Sequence, residues 1–465
     1  MHHLQSQLRQ RLDANRRPAL SADHRIILRP ETREERRYAE YFYTQTARAF
    51  SGCFDSKLWS YLIPQISEAE PTIRHAMVAI GAIHTGFGDA ANRRQIGLSG
   101  EGQFALQQYN KAIRHLIGLQ ATAAARSWEM ILVTCCLFIS FEILQGNRTL
   151  ALNHIDAGLK ILFGCEHSAI ATNCSSEIYQ ELRRFFCRVN LQASYMGRLL
   201  FPLGFPSLDA IDFGVAFTDM SHARSALDQL MNKGLLFIRS VGVDRDARDD
   251  SFRLKKEPEQ QALQRGFNLW LVSLDKLVQK LGAWVQPTEL RASLLLRIYH
   301  RISMVWVLTV LARDEMVFDR HIADFDAIVG YAEVVRLTTE INNRNSSSSV
   351  FTLDGEIIAP LYFLSNKCRN PYIRRRAIKL LSCCGRVEGM WNARQYATVA
   401  TLVMEVEEGA CPGAVDSEKD VGALARVYEC FHPQDAERNP CHVVLMLKPD
   451  GVDTAFQPRK EVYHW

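Results

Sequence analysis

The sequence lacks the short motifs that mark the common enzyme and metal sites. It contains no C-x-x-C pair, no H-E-x-x-H, no G-x-S-x-G and no G-x-x-x-x-G-K. The usual zinc ligand sets, the nucleophile elbow of hydrolases and the phosphate loop of nucleotide enzymes therefore have no counterpart here. We predict no catalytic, cofactor-binding or metal-binding residue, and we expect that the protein is not an enzyme.

The chain also has little net charge and no long apolar run. Its 55 basic and 51 acidic residues leave a formal charge of +4, which is too small to indicate a polyanionic partner by itself. The N-terminal residues have no apolar core of signal-peptide length. The longest uncharged apolar run, residues 130–141, is shorter than the ~20 residues that span a membrane. These absences predict a soluble, intracellular protein without a membrane partner.

Twelve cysteines are present, and their arrangement favours buried thiols over metal ligands or disulfides. Two pairs, at 135–136 and 383–384, are adjacent in apolar segments with helical periodicity. Neighbouring residues on a helix point to different faces, so neither pair is arranged to hold one metal ion. Reduced cysteine agrees with an intracellular location.

Helical periodicity is what the sequence does have, over most of its length. Pro71 indicates a helix start, and the following segment places apolar residues on one face and small residues on the other. Residues 129–145 are apolar nearly all round and are followed by Gly146, which predicts a helix surrounded by other helices. The next amphipathic segment follows after a loop so short that the two helices should form an antiparallel hairpin.

Further along, the apolar stripe of residues 263–281 predicts a long helix ended by Gly282, and Pro287 opens the next one. Near the end the period changes, because HVVLMLKP and KEVYHW are short and β-rich around Pro-Asp-Gly. We therefore predict an all-α fold, a multi-helix array or bundle with a small C-terminal β element. The predicted divisions are a basic flexible arm (1–37), a first helical part (38–200), an irregular loop or boundary (201–221), a second helical part (222–430) and a strand-rich tail (431–465).

The N-terminal arm and one acidic segment are candidates for chemistry. Residues 1–37 are rich in arginine, which suits phosphate contact or nuclear import, although acids are interleaved and a solvated tail is favoured. The segment DRDARDD suggests a cation site, but it has neither the D-D-x-x-D order of prenyl-processing enzymes nor the glycine of a calcium loop. A solvated loop is favoured for the acids Asp244, Asp246, Asp249 and Asp250.

Histidines on the predicted helices are interpreted as structural. No carboxylate or thiolate accompanies them at a ligand spacing, so hydrogen-bonded core histidines are favoured over a site. The residues concerned are His75, His84, His115 and His154.

The sharpest charge feature is the segment NKCRNPYIRRRAIKLL. On a helix, three consecutive arginines span most of the circumference, so at least one must meet acids or the domain's own surface. A structural salt-bridge network is favoured over a nucleic-acid patch. The candidate nucleic-acid or partner contacts are Arg369, Arg374, Arg375 and Arg376.

Several blocks in order resemble the regulatory region of fungal zinc-cluster transcription factors. Among them are RYAEYFYTQTARAFSGCFDSKLW, EPTIRHAMVAIGAIH, APLYFLSNKCRNPYIRRRAIKLL and EGMWNARQYATVATLVMEVEE, between Arg37 and Glu408. The resemblance implies an all-helical regulatory domain that controls transcription by RNA polymerase II, often of metabolic or secondary-metabolite gene clusters. Members of the family usually carry an upstream six-cysteine cluster that holds two zinc ions. Here the first cysteine is Cys53, so no zinc ligand is assigned and direct DNA binding is not expected.

The leading hypothesis is therefore a nuclear transcription regulator that keeps the regulatory domain without the zinc cluster and acts through a partner. The partner is expected to be another transcription factor or the transcription machinery, and both homodimers and heterodimers are compatible with this. A helical scaffold or small-molecule sensor without transcriptional output is the second hypothesis, and an α-helical enzyme using the DRDARDD acids is the third. The genomic reading frame upstream of Met1 would decide whether a zinc cluster precedes this sequence.

Overall fold

A computed structural model describes residues 32–54, 56–88, 99–120, 128–167, 176–204, 216–243, 250–282, 285–343, 351–431 and 441–464. These residues are mainly helical with a small C-terminal sheet, so the predicted fold class is confirmed. The chain divides into two compact units. Unit 1 comprises Met1–Arg183, Gln286–Arg291 and Val334–Leu353, and unit 2 comprises Arg184–Val285, Ala292–Glu333 and Asp354–Trp465.

Unit 1 is built from short helices followed by longer ones. The helix α1 (Arg33–Tyr41) starts at a capping box, in which Thr32 and Glu35 bond each other's backbone N–H. Two π-helical segments, Phe42–Thr46 and Leu58–Leu62, follow it. The remaining helices are α2 (Ala47–Ser51), α3 (Ile63–Ala69), α4 (Pro71–Thr85), α5 (Gly100–Gln120), α6 (Trp128–Gln145) and α7 (Arg148–Glu166).

The centre of unit 1 is α4, which begins at Pro71 as predicted and packs against α1, α3, α5 and α6. Its residues from Ala76 to His84 are all buried, because small side chains keep its girth low. At Gly81 the backbone of α1 approaches so closely that an added Cβ would lie 2.1 Å from the carbonyl oxygen of Tyr38. Gly81 therefore permits the contact between α1 and α4.

The predicted antiparallel hairpin is formed by α6 and α7, which pack against each other. Gly146 adopts a positive φ of 77° after α6, and Asn147 caps α7 by accepting a hydrogen bond from the Leu150 N–H. By length and composition α6 would suit a membrane span, but 67% of it is buried inside the protein. Its apolar circumference is explained by neighbouring helices.

Several polar side chains buried in unit 1 are paired with one another. Gln108 donates to Glu35 over 2.8 Å and lies 2.7 Å from His75 Nδ1, while Lys111 donates to the same carboxylate over 3.1 Å. His84 Nδ1 lies 2.9 Å from the Thr46 hydroxyl, and burial lowers the pKa of His84 to about 4. The predicted structural role of these histidines agrees with their hydrogen bonds.

Unit 2 contains most of the longer helices. The helices α8 (Glu177–Tyr195) and α11 (Pro287–Thr309) pass from unit 1 to unit 2 along the sequence, and α12 (Ile322–Asn343) passes from unit 2 to unit 1. The others are α9 (Met220–Val243), α10 (Asp250–Leu281), α13 (Ile358–Lys367), α14 (Pro371–Cys384) and α15 (Ala393–Gly409). A 3₁₀ segment, Glu315–His321, lies between α11 and α12.

The apolar stripe of residues 263–281 lies on the helix α10, as predicted. Leu263, Phe267, Trp270 and Leu274 are buried, and Gly282 follows the helix with a positive φ of 56°. Trp270 also donates its indole N–H to the carbonyl oxygen of Ala223 over 2.8 Å, which joins α10 to α9.

Strands lie at the C-terminal end and between helices. A three-stranded antiparallel sheet has the order β4 (Val427–Phe431), β5 (Cys441–Leu447) and β6 (Gln457–Tyr463). Its last two strands match the predicted β-rich segments. Three two-residue strands precede it: β1 (Phe351–Thr352), β2 (Val387–Glu388) and β3 (Trp391–Asn392). The strands β1, β2 and β3, and β4 up to its last residue, fall inside the region predicted as helical, because each is too short to show a clear period of two.

Some predicted features fall outside the described residues. They are the arm up to residue 31, the central part of the predicted boundary at 205–215, and the acids Asp244, Asp246 and Asp249. The backbone of Asp250 begins α10.

Candidate functional site

The arginine-rich segment lies at the start of α14 in unit 2. Asn370 caps this helix by accepting a hydrogen bond from the Ile373 N–H, and Pro371 occupies its first turn. Because consecutive residues of a helix point to different faces, Arg374, Arg375 and Arg376 project in three directions. Arg369 precedes the cap. The structure separates the four candidate contact residues into two that are buried and two that are nearer to solvent.

Arg369 is completely buried and is surrounded by acceptors. Its Nη2 donates to Glu407 Oε1 over 2.8 Å and its Nη1 to Glu315 Oε2 over 3.2 Å. The carbonyl oxygens of Lys367 and Val427 accept two more hydrogen bonds. Burial alone would lower the pKa of Arg369, but the two carboxylates raise it above its ordinary value. Arg369 is therefore a fixed cation inside the unit.

Arg374 is also completely buried and shares the same carboxylate. Its Nη1 lies 2.8 Å from Glu407 Oε2, and its Nε donates to the carbonyl oxygen of Ser365 over 2.8 Å. Burial lowers the pKa of this guanidinium. Because neither Arg369 nor Arg374 has exposed surface, the prediction of a nucleic-acid or partner contact does not fit these two residues in this structure.

Glu407 on α15 is the anion that both arginines require. Burial would raise its pKa, but the charges of Arg369 and Arg374 and a hydrogen bond from the Val427 N–H over 2.7 Å hold the pKa below its ordinary value. We call Glu315, Arg369, Arg374 and Glu407 the buried arginine network. It ties α14 and α15 to β4 and to the 3₁₀ segment, and it is the salt-bridge network that the sequence favours.

Arg375 and Arg376 lie nearer to solvent. Arg375 retains 48% side-chain exposure and pairs with Glu408 over 2.5 Å. Arg376 donates to Glu333 over 2.9 Å and to Asp326 over 2.7 Å. The contact prediction remains a prediction for these two residues, with Arg375 the more accessible.

A second charged cluster lies in unit 2. Arg224 donates to Asp354 over 2.8 Å, and Arg188 lies 3.5 Å from the same carboxylate. The carboxylate of Asp228 lies 4.0 Å from both arginines, and no hydrogen bond to its Oδ2 is present among the described residues. Burial raises the pKa of Asp228 to about 6, against the opposing charges of Arg224 and Arg188. The two arginines therefore offset only part of the free-energy cost of burying the Asp228 carboxylate as an anion.

Unit 2 also contains a partly open cavity of about 170 Å³. Its walls come from the four helices α8, α9, α11 and α13 and from the strands β3 and β4, so no single stretch of sequence indicates it. Trp306 packs on Phe363 and Tyr195, with ring centroids 5.3 Å and 6.2 Å apart. The aromatic lining residues are Tyr195, Tyr299, Trp306, Tyr362, Phe363, Trp391 and Tyr428.

A few polar groups line the same cavity. Arg239 donates from Nη2 to the carbonyl oxygen of Ser194 over 2.6 Å, and burial lowers its pKa. Asn366 presents a buried Oδ1 to which the described residues donate no hydrogen bond. The hydroxyl of Tyr362 donates to Cys430 Sγ over 3.3 Å, and burial raises the pKa of Cys430 to about 11. Aromatic walls with a few convergent polar groups are typical of small-molecule sites.

Nothing in the described ranges resembles a metal centre. In these ranges there is no cluster of three or more His, Cys, Asp or Glu side chains arranged to hold a metal ion. The cysteines within them form no disulfide bond.

Comparison with known proteins bears on the regulatory resemblance. Residues 37–244 match the family model of the fungal specific transcription factor domain. The match covers 208 of the 465 residues, so just under half of the chain is similar to this domain. The matched range covers most of unit 1 and reaches the end of α9, so the buried arginine network lies beyond it.

A curated relative supports the same assignment. The aspercryptin biosynthesis cluster-specific transcription regulator atnN of Emericella nidulans is 23% identical over 337 residues, which are 70% of this chain and 53% of that regulator. The chain thus spans about half the length of the relative. No solved structure matches the chain.

Proposed function

We propose that the protein is a nuclear transcription regulator of metabolic or secondary-metabolite genes and that it acts through a protein partner. The observation that carries this proposal is the fungal specific transcription factor domain over residues 37–244. The relative named as a cluster-specific transcription regulator supports the secondary-metabolite assignment.

Action through a partner is proposed from the sequence and from the placement of the arginines. The 465 residues contain no six-cysteine zinc cluster, since no two of their cysteines have the C-x-x-C spacing that such a cluster needs. We do not expect the sharpest basic segment to supply a substitute DNA surface, because Arg369 and Arg374 are buried and Arg375 and Arg376 are paired with acids. A second transcription factor would provide the DNA contact, with this chain as its homo- or heteromeric regulatory component.

The decisive experiment compares deletion and overexpression of the gene in its own host. Transcripts of neighbouring genes should fall on deletion and rise on overexpression, or change in the opposite directions if the protein represses. No change in any neighbouring transcript would contradict the proposal. A tagged copy should enter the nucleus, whereas a strictly cytoplasmic location under all conditions would favour the scaffold alternative.

The partner requirement is tested with the purified full chain. An electrophoretic shift assay with promoter fragments of the responding genes should show no sequence-specific complex until nuclear extract is added. A specific complex of the purified chain alone would contradict action through a partner.

Arg375 offers a test of the contact surface. Arg375→Glu reverses a charge that is 48% exposed, so it should reduce the transcriptional response if the partner meets this face of α14. Arg253→Glu is the matched control, since its side chain is 64% exposed on α10. Equal responses from both variants would remove Arg375 from the contact surface.

A further inference from the structure

The cavity in unit 2 has the size of one aromatic ring. An apolar cavity of ~150 Å³ accommodates benzene, and this cavity measures about 170 Å³. Trp306, Phe363 and Trp391 are among the aromatic side chains that line it. Offset and edge-to-face contacts between rings favour an aromatic guest over an aliphatic one of equal size.

The polar groups restrict what that ring can carry. Asn366 Oδ1 is a buried acceptor without a donor among the described residues, and a buried acceptor left unsatisfied costs about 1–3 kcal/mol. A guest with a ring hydroxyl would supply the missing donor. This group therefore favours a phenol over an unsubstituted ring.

The rim of the cavity carries one charge of each sign. Arg239 and Glu429 both line the cavity, and the charge of Glu429 acts on the Arg239 guanidinium. The described residues give the Arg239 guanidinium one hydrogen bond, to Ser194, so further N–H groups remain for a ligand. A carboxylate suits Arg239 and an ammonium group suits Glu429, and a guest with both is electrically matched to the rim.

We propose that this cavity binds a single-ring aromatic α-amino acid with a ring hydroxyl, placing the ring among the aromatic walls, the hydroxyl at Asn366, the carboxylate at Arg239 and the ammonium group at Glu429. L-tyrosine is the probe that contains all four features. This ligand site is separate from the proposed role in transcription. Ligand binding is measured on the purified protein, so its outcome does not depend on any transcriptional response.

The binding test uses the purified full chain and probes that each lack one group. Isothermal titration calorimetry should show saturable binding of L-tyrosine, and the fluorescence of Trp306 and Trp391 should change with the same midpoint. L-phenylalanine lacks the hydroxyl, tyramine lacks the carboxylate and 3-(4-hydroxyphenyl)propionate lacks the amine. Each should bind about tenfold or more weakly than L-tyrosine, and L-leucine should not bind measurably.

Two rim variants assign the charged contacts. Arg239→Gln should weaken L-tyrosine about tenfold or more and leave tyramine unchanged, because tyramine has no carboxylate to lose. Glu429→Gln should weaken L-tyrosine and leave 3-(4-hydroxyphenyl)propionate unchanged. Arg253→Gln, on the exposed face of α10, is the control that should change no affinity.

A third variant fills the cavity. Ala359 lines it, so Ala359→Leu should abolish binding of every probe while circular dichroism shows an unchanged helical content. The proposal is overturned if no probe gives a saturable signal, if Ala359→Leu folds and binds normally, or if Arg239→Gln weakens tyramine as much as L-tyrosine. Should Ala359→Leu fail to fold, the two rim variants still decide the outcome.

Discussion

Glu407 is the residue on which the interior of unit 2 depends most directly. It is completely buried and neutralises Arg369 and Arg374, neither of which has access to water. Breaking a buried ion pair by removing one partner costs about 3–5 kcal/mol, because the remaining charge is left uncompensated. We expect Glu407→Gln to lower the free energy of unfolding by about that amount, measured by urea denaturation.

Arg375→Gln provides the contrast on the same helix. Its side chain is 48% exposed and its pair with Glu408 is accessible to solvent. Exposed ion pairs contribute about 0–1 kcal/mol, so this variant should unfold within about 1 kcal/mol of the wild type. Equal destabilisation by Glu407→Gln and Arg375→Gln would contradict the role assigned to the buried arginine network.

Asp228 should make its own contribution to pH dependence. Burial raises its pKa from 3.8 to about 6, so the folded protein binds a proton that the unfolded chain has already released. Its contribution to stability is therefore present below pH 3.8 and is lost as pH rises through 6. The wild type should lose on the order of 1 kcal/mol relative to Asp228→Asn between pH 5 and 7.5 in urea titrations. A difference that stays constant with pH would contradict this assignment.

For single residues, the sequence predicts that a side chain forms an ion pair better than it predicts which residue it pairs with. Three consecutive arginines on one helix must point in different directions, so ion pairing of at least one is predictable. The sequence does not predict which of the arginines are buried. The acids Glu315 and Glu407 lie far from Arg369 in the sequence, and packing brings them together. The cavity is unpredictable for the same reason, since its lining runs from Tyr195 to Cys430.

Among the helices, the closest constraint is the contact between α1 and α4 at Gly81. A Cβ there would lie 2.1 Å from the Tyr38 carbonyl oxygen, which is backbone and cannot rotate away. Gly81→Ala should therefore separate the two helices and destabilise the protein by about 1–3 kcal/mol, the usual range for overpacking. Thermal unfolding followed by circular dichroism measures the loss.

Gly164→Ala is the matched control. Gly164 is an exposed residue of α7 whose added Cβ would meet nothing within 4 Å. Alanine is favoured over glycine in a helix by about 0.5–1 kcal/mol, so this variant should be slightly more stable than the wild type. If both glycine variants unfold at the same temperature, the close approach of α1 to α4 at Gly81 does not require glycine for stability.

The predictability of an element follows its length and its surroundings. The helices α6 and α10 are long enough for several turns of periodicity, and glycines of positive φ end them where the sequence indicates. The strand β4 has only five residues, and it pairs with β5 through a register shift between Val427 and Glu429. Such a strand depends on its neighbours, and its own pattern does not reveal it.

Considered as a whole molecule, the protein should lose stability in acid. Burial lowers the pKa of His84 in unit 1 and of His300 in unit 2 to about 4, so the folded chain resists protonation that the unfolded chain accepts near 6.5. Their contribution is complete above pH 6.5 and is lost as pH falls toward 4. As pH falls from 7.5 to 5, each histidine should lower the free energy of unfolding by on the order of 2 kcal/mol. This loss exceeds the opposing gain in stability at Asp228.

Urea unfolding of the full chain at both pH values measures this loss. His84→Asn keeps a hydrogen-bonding side chain near Thr46 but does not titrate, so its midpoint should decline less steeply than that of the wild type. An unchanged wild-type midpoint between pH 7.5 and 5 would show that these histidines do not govern acid stability.

The buried arginine network also bears on the synthesis of the protein. Arg369 and Arg374 emerge from the ribosome before Glu407, and Val427, whose N–H completes the carboxylate's hydrogen bonding, emerges later still. The interior of unit 2 therefore cannot be completed before residue 427 has been translated. A product of premature termination before residue 407 retains two cations with no anion to accompany them inside, and it should be recognised by cellular proteases as unfinished.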